Sequence, residues 1–216
     1  MIFLAIILSY LCGAIPFGVL VGRACGVDVR AAGSGNIGAT NVWRILGPRA
    51  GSLVFALDVA KGFVAPMLGR WLCGGEAKAV AICALVAVLG HTFSVFLKFR
   101  GGKGIATAFG TMLGMAWPLA LACLALWGAV LLMSRIISVA SIAVCVVGLP
   151  LFIWAKQPIP YIAVVALFAV VTLLKHIPNM KRLRAGTEPK IGQAKAMAPH
   201  MSTHVADATG PSVNAQ

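Results

Sequence analysis

The sequence predicts an all-α integral membrane protein of seven transmembrane segments, two of them short, with the amino terminus outside and the carboxyl terminus cytoplasmic. Three observations lead there. Hydrophobic residues make up 60% of the 216, charged residues only 11%, and the mean hydropathy is +0.96, far outside the range of soluble domains. Apolar runs long enough to cross a bilayer recur along almost the whole chain. The cations fall very unevenly on the connections between those runs.

The first apolar run, 3–22, has no basic region ahead of it and no small-residue cleavage site before a polar domain, so it reads as a retained span and not a signal peptide. Runs at 51–68 and 77–97 follow. The stretch 105–133 is too long for one span of about 20 residues and short for two. Pro118 sits at its middle behind Trp117, an interfacial residue type, so a turn is expected there and two short segments, 105–117 and 118–133. Runs at 136–155 and 159–174 complete the set.

With that division the inner side receives Arg23, Arg30, Arg44 and Arg49, then Lys98, Arg100 and Lys103, then Arg135, then Lys175, Lys181, Arg182, Arg184, Lys190 and Lys195. The outer side receives only Arg70, Lys78 and Lys156. A six-segment arrangement would send either the first or the last of these basic groups outward, so the charge pattern itself favours dividing the chain at Pro118. Residues 1–192 then form one membrane-embedded domain. The remainder, 193–216, is rich in Ala, Pro, Ser and Thr and is expected to be a disordered cytoplasmic tail. His200 and His204 lie there at helical spacing, but nothing would order them as ligands, and no metal site is expected. The six cysteines form no C-x-x-C pair and mostly lie in apolar runs, which suits small core residues and not disulfides or metal ligands. A net charge of +13 without a water-facing domain to carry it argues against nucleic acid and for membrane orientation and anionic substrates.

Within this frame the stretch GHTFSVFLKFRGGKGIAT at 90–107 organises the rest. It joins two apolar runs through Lys98, Arg100, Gly101, Gly102, Lys103 and Gly104. Glycines allow backbone N–H groups to converge on an anion, and the helix restarting at Ile105 aims its positive end at the same place. The other reading of these cations is topology alone. A second inner loop, 33–47, alternates glycine with Ser34, Asn36, Thr40 and Asn41 and ends near Arg44. Neutral donors plus an arginine fork suit phosphate oxygens, with Gly35 giving the backbone room. Its plainer reading is a polar connector in which Thr40 or Asn41 caps a short interfacial helix carrying Val42, Trp43, Ile45 and Leu46.

The third basic stretch, 175–188, adds His176, Asn179 and Glu188, the last being one of only five acids in the chain. Three separate inner loops therefore all offer phosphate ligands. Ser138 and Ser141 share a face of the sixth segment just beyond Arg135, although serines often bond their own helix backbone. Asp58 and Lys61, three residues apart in the second span, are either a neutralising pair or part of the site lining. His91 in the third span reads as a hydrogen-bonded supporting group.

Together GSGNIGATNVWRILG at 33–47, the 90–107 stretch and HIPNMKRLRAGTE at 176–188 resemble the PlsY family, the bacterial membrane glycerol-3-phosphate acyltransferases that use an acyl phosphate donor. Leu57, Asp58, Lys61 and Gly62 fit as well. Arg100 stands where the family's run would have lysine. The resemblance implies transfer of a fatty acyl group from acyl phosphate to the 1-hydroxyl of sn-glycerol 3-phosphate, giving lysophosphatidic acid and phosphate in phospholipid biosynthesis. It implies an inner-membrane enzyme without cofactor or metal, facing the cytoplasm, embedded in lipid and supplied by the enzyme that makes acyl phosphate. By the same resemblance Ser34, Lys103 and Arg44 hold the donor's phosphate, and Ser141, His176 and Asn179 hold the glycerol phosphate; Lys103, His176 and Ser141 are its catalytic candidates. No H-x-x-x-x-D motif follows any histidine. The proton acceptor is then the donor's own phosphate or His176. A transporter of phosphorylated metabolites is the competing class, since glycine-broken segments with inward cations would serve it too.

Overall fold

The computed structural model describes residues 1–191, and the expectations for 193–216, including His200 and His204, lie outside the described residues. Eight α-helices follow one another: α1 (Ile2–Ala14), α2 (Phe17–Ala24), α3 (Ala39–Leu72), α4 (Ala77–Thr92), α5 (Ile105–Ser134), α6 (Ile137–Trp154), α7 (Ile159–Lys175) and α8 (Ile177–Arg184), with a 3₁₀ turn at Val95–Leu97. Five elements are individually long and apolar enough to cross a membrane: Ile2–Ala24, Ala39–Leu72, Ala77–Leu97, Ile105–Ser134 and Ile137–Trp154. A sixth arises if α7 and α8, bent 52° from each other, count together. The seventh segment depends on α5, which leaves helical geometry at Ala116 (φ −151°, ψ 76°), beside the expected turn at Trp117 and Pro118.

The break has a local cause and a remote partner. Pro118 has no N–H to give to the carbonyl of Gly114 four residues back. Arg70, at the end of α3, supplies donors instead: its Nη2 lies 3.0 Å from Gly114 O and 3.3 Å from Met115 O. An arginine expected to be only an outer topology charge therefore caps an interrupted helix. A comparable interruption separates α1 from α2 at Ile15–Pro16, where Lys61 Nζ donates to Ile15 O at 2.7 Å. The expected interfacial helix is present but runs into α3, with a bend at Gly47 (φ 84°) marking the joint. Its amino-terminal cap position is Gly38 and no side chain caps it, so neither Thr40 nor Asn41 plays that part.

The long α3 is the centre of the bundle, packed most extensively against α5 and then against α4 and α1. The α3–α5 contact is a backbone contact. A Cβ on Gly62 would fall on Thr107 O, and one on Gly110 would fall on Val59 O. Small residues permit this approach where lipid gives helices no hydrophobic reason to associate. A second layer of α4, α5, α6 and α7 encloses the main apolar core, including Val80, Val88, Met112, Phe152, Tyr161 and Phe168. Phe3, Leu20, Leu132, Trp154 and Ile159 face outward, as side chains on a lipid-facing surface do. All six cysteines are free thiols.

Candidate functional site

The hinge after α4 is shaped by hydrogen bonds that fold it back on that helix. Ser94 Oγ donates to Ala14 O at 2.6 Å, pinning the hinge to α1. Lys98 and Phe99 both take left-handed backbone angles (φ 52° and 62°), which turn the chain. Gly101 N then donates to Thr92 O and Gly102 N to His91 O, each at 3.1 Å. These two amides are thus spent on the end of α4, and the expected convergence of the glycine N–H groups on an anion does not occur at Gly101 and Gly102. The available donors come one step later. Gly104 (φ 78°) precedes α5, whose first-turn amides have no earlier turn to bond, so an anion beside Lys103 meets the positive end of that helix. Lys98 and Arg100 are exposed.

Lys103 leads across to the third basic stretch. Its Nζ donates to Asn179 Oδ1 at 2.5 Å, and Asn179 Nδ2 donates to Glu188 Oε1 at 2.6 Å. Chemistry alone fixes the amide's orientation, because an ammonium only donates and a carboxylate only accepts. The same Glu188 oxygen accepts from Ser138 Oγ at 2.8 Å, and its other oxygen accepts from Arg182 Nε at 2.7 Å. Ile191 N donates to Arg135 O at 2.7 Å, which draws the chain after α8 onto the start of α6 and brings Glu188 to Ser138. Lys103, Ser138, Asn179, Arg182 and Glu188 form one connected cluster. Arg44 is near enough for its charge to oppose protonation of Lys103.

The electrostatics follow from burial and these partners. Burial pushes the Lys103 ammonium down to about 8, with the charges of Arg182 and Arg44 adding to the shift and Glu188 opposing it. Burial alone would raise the Glu188 carboxyl, but the hydrogen bonds from Asn179, Ser138 and Arg182 outweigh it and hold the group below the ordinary carboxylate value. His176, at the joint between α7 and α8, is lowered by burial and then by the Lys103 charge. Its Nδ1 lies 2.8 Å from Thr172 O. A carbonyl only accepts, so Nδ1 carries the proton and Nε2 keeps its lone pair.

The 33–47 loop is organised from within. Asn41, buried to 1% exposure, accepts from Ser34 N at 2.8 Å through Oδ1 and donates through Nδ2 to Val29 O and Ala32 O at 2.9 and 3.2 Å. Its amide is used up in holding the loop, so it shapes the loop and has no donor left for a substrate. Asn36 Oδ1 accepts from Gly38 N at 3.1 Å. Ser34 and Gly35 are exposed, Gly35 with φ 70°, and Arg44 projects from the first turns of α3. Thr40 is partly buried there.

The two serines of α6 part ways. Ser138 joins the cluster, whereas Ser141 Oγ donates to Ile137 O at 3.0 Å and accepts from Trp127 Nε1 at 3.3 Å. Its hydroxyl proton is engaged in its own helix, the plainer of the two readings open to it. Asp58 and Lys61 pair at 2.7 Å in the bundle interior. Arg182, read in the sequence as a flanking topology charge, is the residue the sequence analysis misses. Its spacing of three from Asn179 in a helix was the available signal.

The chain is similar to known proteins along most of its length. The family model described as glycerol-3-phosphate acyltransferase matches residues 3–186. A glycerol-3-phosphate acyltransferase of Rubrobacter xylanophilus is 45% identical over 189 residues, covering 88% of this chain and 94% of that protein. One from Thermus thermophilus is 44% identical, covering 87% and 94%. The crystal structure of PlsY, an integral membrane glycerol 3-phosphate acyltransferase, in its glycerol 3-phosphate form superposes with a TM-score of 0.85 at 35% identity, covering 88% of this chain and 96% of that one. Its lysophosphatidic acid form gives 0.83 at 34%. The family model over residues 3–186, the relatives at 44–45% identity and the match to an integral membrane acyltransferase structure over 88% of the chain place this protein in the glycerol-3-phosphate acyltransferase family.

Proposed function

We propose that the protein transfers a fatty acyl group from acyl phosphate to the 1-hydroxyl of sn-glycerol 3-phosphate at the cytoplasmic face of the bacterial inner membrane. The observation that carries this reading is the chain of contacts from Lys103 through Asn179 to Glu188, which joins two inner loops 76 residues apart with Arg44 of a third nearby. Two phosphorylated substrates need several cations at one place, and this is where they meet. The excess of Lys and Arg in the connecting loops on this side supports the cytoplasmic assignment.

An acyl phosphate is a mixed anhydride with a good leaving group, so alignment and charge neutralisation contribute more than a strongly activated nucleophile. Lys103, Arg44, Ser34 and the first turn of α5 are suited to the donor's phosphate. Asn179 and Arg182 are suited to the phosphate of glycerol phosphate, and neutral His176 Nε2, an acceptor, is suited to one of its hydroxyls. The 1-hydroxyl oxygen bonds to the acyl carbon, the carbon–oxygen bond to phosphate breaks, and the hydroxyl proton leaves with the phosphate. Glu188 acts by orienting Asn179 and Arg182. Ser141 is left outside the catalytic set because its hydroxyl is engaged, and Asn41 acts by shaping the loop. The donor is taken to come from a neighbouring acyl-phosphate-forming enzyme, its chain lying in the bilayer.

The test is acyl transfer by purified protein with palmitoyl phosphate and labelled glycerol 3-phosphate, beside Lys103→Ala. Lysophosphatidic acid formed by the parent and lost in the variant supports the reading. A folded parent that makes no product from acyl phosphate, and instead carries glycerol 3-phosphate into vesicles, overturns it in favour of transport.

A further inference from the structure

Behind the hinge lies a buried polar network to which the proposed reaction assigns no step. His91 is 4% exposed, and its ring meets three different elements. Nδ1 lies 3.2 Å from Thr107 Oγ1 in α5 and 3.7 Å from Asp58 Oδ1 in α3. Nε2 and the neighbouring Cε1 occupy the space where a side chain on Gly102 would sit: a Cβ there would fall on Nε2. The carbonyl of the same residue accepts from Gly102 N at 3.1 Å. Asp58 is in turn held by Lys61 at 2.7 Å, and Lys61 donates to Ile15 O at the break between α1 and α2. His91 therefore stands between the bundle's interior and the residue next to Lys103.

We infer that His91 is a positioning residue for Lys103: held by Thr107 and facing the Asp58 carboxylate, its ring sets the path of the hinge at Gly102 and so the reach of Lys103 to Asn179. The inference rests on the proposed role of Lys103. Buried intramembrane polar groups are costly, and this set is linked by the Lys61–Ile15 hydrogen bond, the Lys61–Asp58 ion pair and the His91–Thr107 hydrogen bond, which suits a rigid support. Two constraints meet at Gly102. The hinge needs a residue without a side chain there, and the ring needs a wall to press against. The Gly102 amide is taken by His91 O and the His91 ring is buried, so the effect is assigned to Lys103, the next residue in the hinge.

Four proteins test this: the parent, Gly102→Ala, His91→Asn, and the two changes together. An Asn amide can place a polar atom near the position of Nδ1 while removing the ring edge that abuts Gly102. His91→Asn alone should lower kcat by about threefold, and Gly102→Ala by on the order of a hundredfold, since displacements of about 1 Å carry losses of that size. In the double variant the vacated ring edge receives the new Cβ, and kcat should recover at least roughly tenfold over Gly102→Ala, with KM for glycerol 3-phosphate changed by less than about threefold. Competitive acetylation of Lys103, read by mass spectrometry, supplies a second measure independent of turnover. The labelling rate should shift in Gly102→Ala and return toward the parent's in the double variant, with thermal unfolding in detergent alike in all four. A double variant no better than Gly102→Ala in kcat and in labelling overturns the inference. A parent that transfers nothing from palmitoyl phosphate overturns the proposed reaction instead, and the labelling comparison still decides the role of His91.

Discussion

Lys103 Nζ lies 2.5 Å from Asn179 Oδ1, although 76 residues separate the two in the chain. Of the contacts in the cluster this one joins the glycine hinge to the carboxyl-terminal basic stretch, and it divides the site's dependence on Lys103 into charge and reach. Lys103→Ala removes both and should reduce acyl transfer by at least about a thousandfold, the scale seen when a preorganised charge at a reacting group is lost. Lys103→Arg keeps the charge but replaces a point ammonium with a planar fork, and should retain a measurable fraction. The assay is initial-rate transfer from palmitoyl phosphate. Equal loss in both variants would show that charge is not the deciding property.

The pH dependence follows from the same residue. Burial has lowered Lys103 to about 8, so in the free protein its charge is present below that pH and lost above it. KM for glycerol 3-phosphate and for the acyl donor should therefore rise as pH passes upward through about 8. The effect on stability has the opposite sense. The unfolded chain holds the lysine proton to higher pH than the folded one, so this group's contribution to stability improves as pH climbs above about 8. Rate profiles and thermal unfolding measured over one pH series distinguish the two trends. A KM that is flat across the window would remove Lys103 from substrate binding.

Glu188 offers a second titration, in the acid range, in which stability again rises with pH. Its carboxyl is held below the ordinary value in the folded state, so its stabilising contribution is present above the unfolded value and is lost as pH falls through the folded one. Glu188→Gln keeps the shape but weakens the acceptor of Arg182, Asn179 and Ser138. It should lower the unfolding midpoint by a few degrees, lower activity by about tenfold to a hundredfold, and abolish the acid-side loss of stability. Differential scanning fluorimetry in detergent from neutral to acid pH measures this. A variant that keeps the parent's acid-side loss would assign that loss elsewhere.

Packing at the centre of the bundle gives a prediction that does not involve substrate. A Cβ on Gly62 would fall on Thr107 O, and backbone cannot yield as a flexible side chain can. Gly62→Ala should destabilise the protein by about 1–3 kcal/mol and disturb the start of α5 as well. Gly128, with open space around it, is the matched control. Gly128→Ala should unfold at the parent's temperature or slightly above, since alanine is the better helix former. Equal midpoints for the two variants would show that α3 and α5 are not in rigid contact.

Much of this protein is legible in the sequence because a bilayer imposes one-dimensional rules. Span length, apolar composition and the side on which cations fall all act along the chain, so 60% hydrophobic residues and the loops at 33–47, 90–107 and 176–188 are enough to give an all-helical membrane protein with cations and small polar residues gathered in its connections. The break near Pro118 is of the same kind, since a missing N–H is a property of the residue. Even the ion pair of Asp58 and Lys61 is local, three residues apart on one helix.

What only the tertiary structure decided is which polar atoms are already taken. Asn41 and Ser141 match ligands by residue type, yet their groups are used on Val29 O, Ala32 O, Ser34 N, Ile137 O and Trp127 Nε1. Gly101 and Gly102 could present amides to an anion by composition, but fold back onto Thr92 and His91. Arg70 and Arg182 look alike as flanking charges, and one caps a broken helix while the other binds Glu188. A donor satisfies one acceptor at a time, and which acceptor is nearest depends on residues tens of positions away. Hydrogen-bond inventory belongs to the sequence, whereas its assignment belongs to the packed bundle.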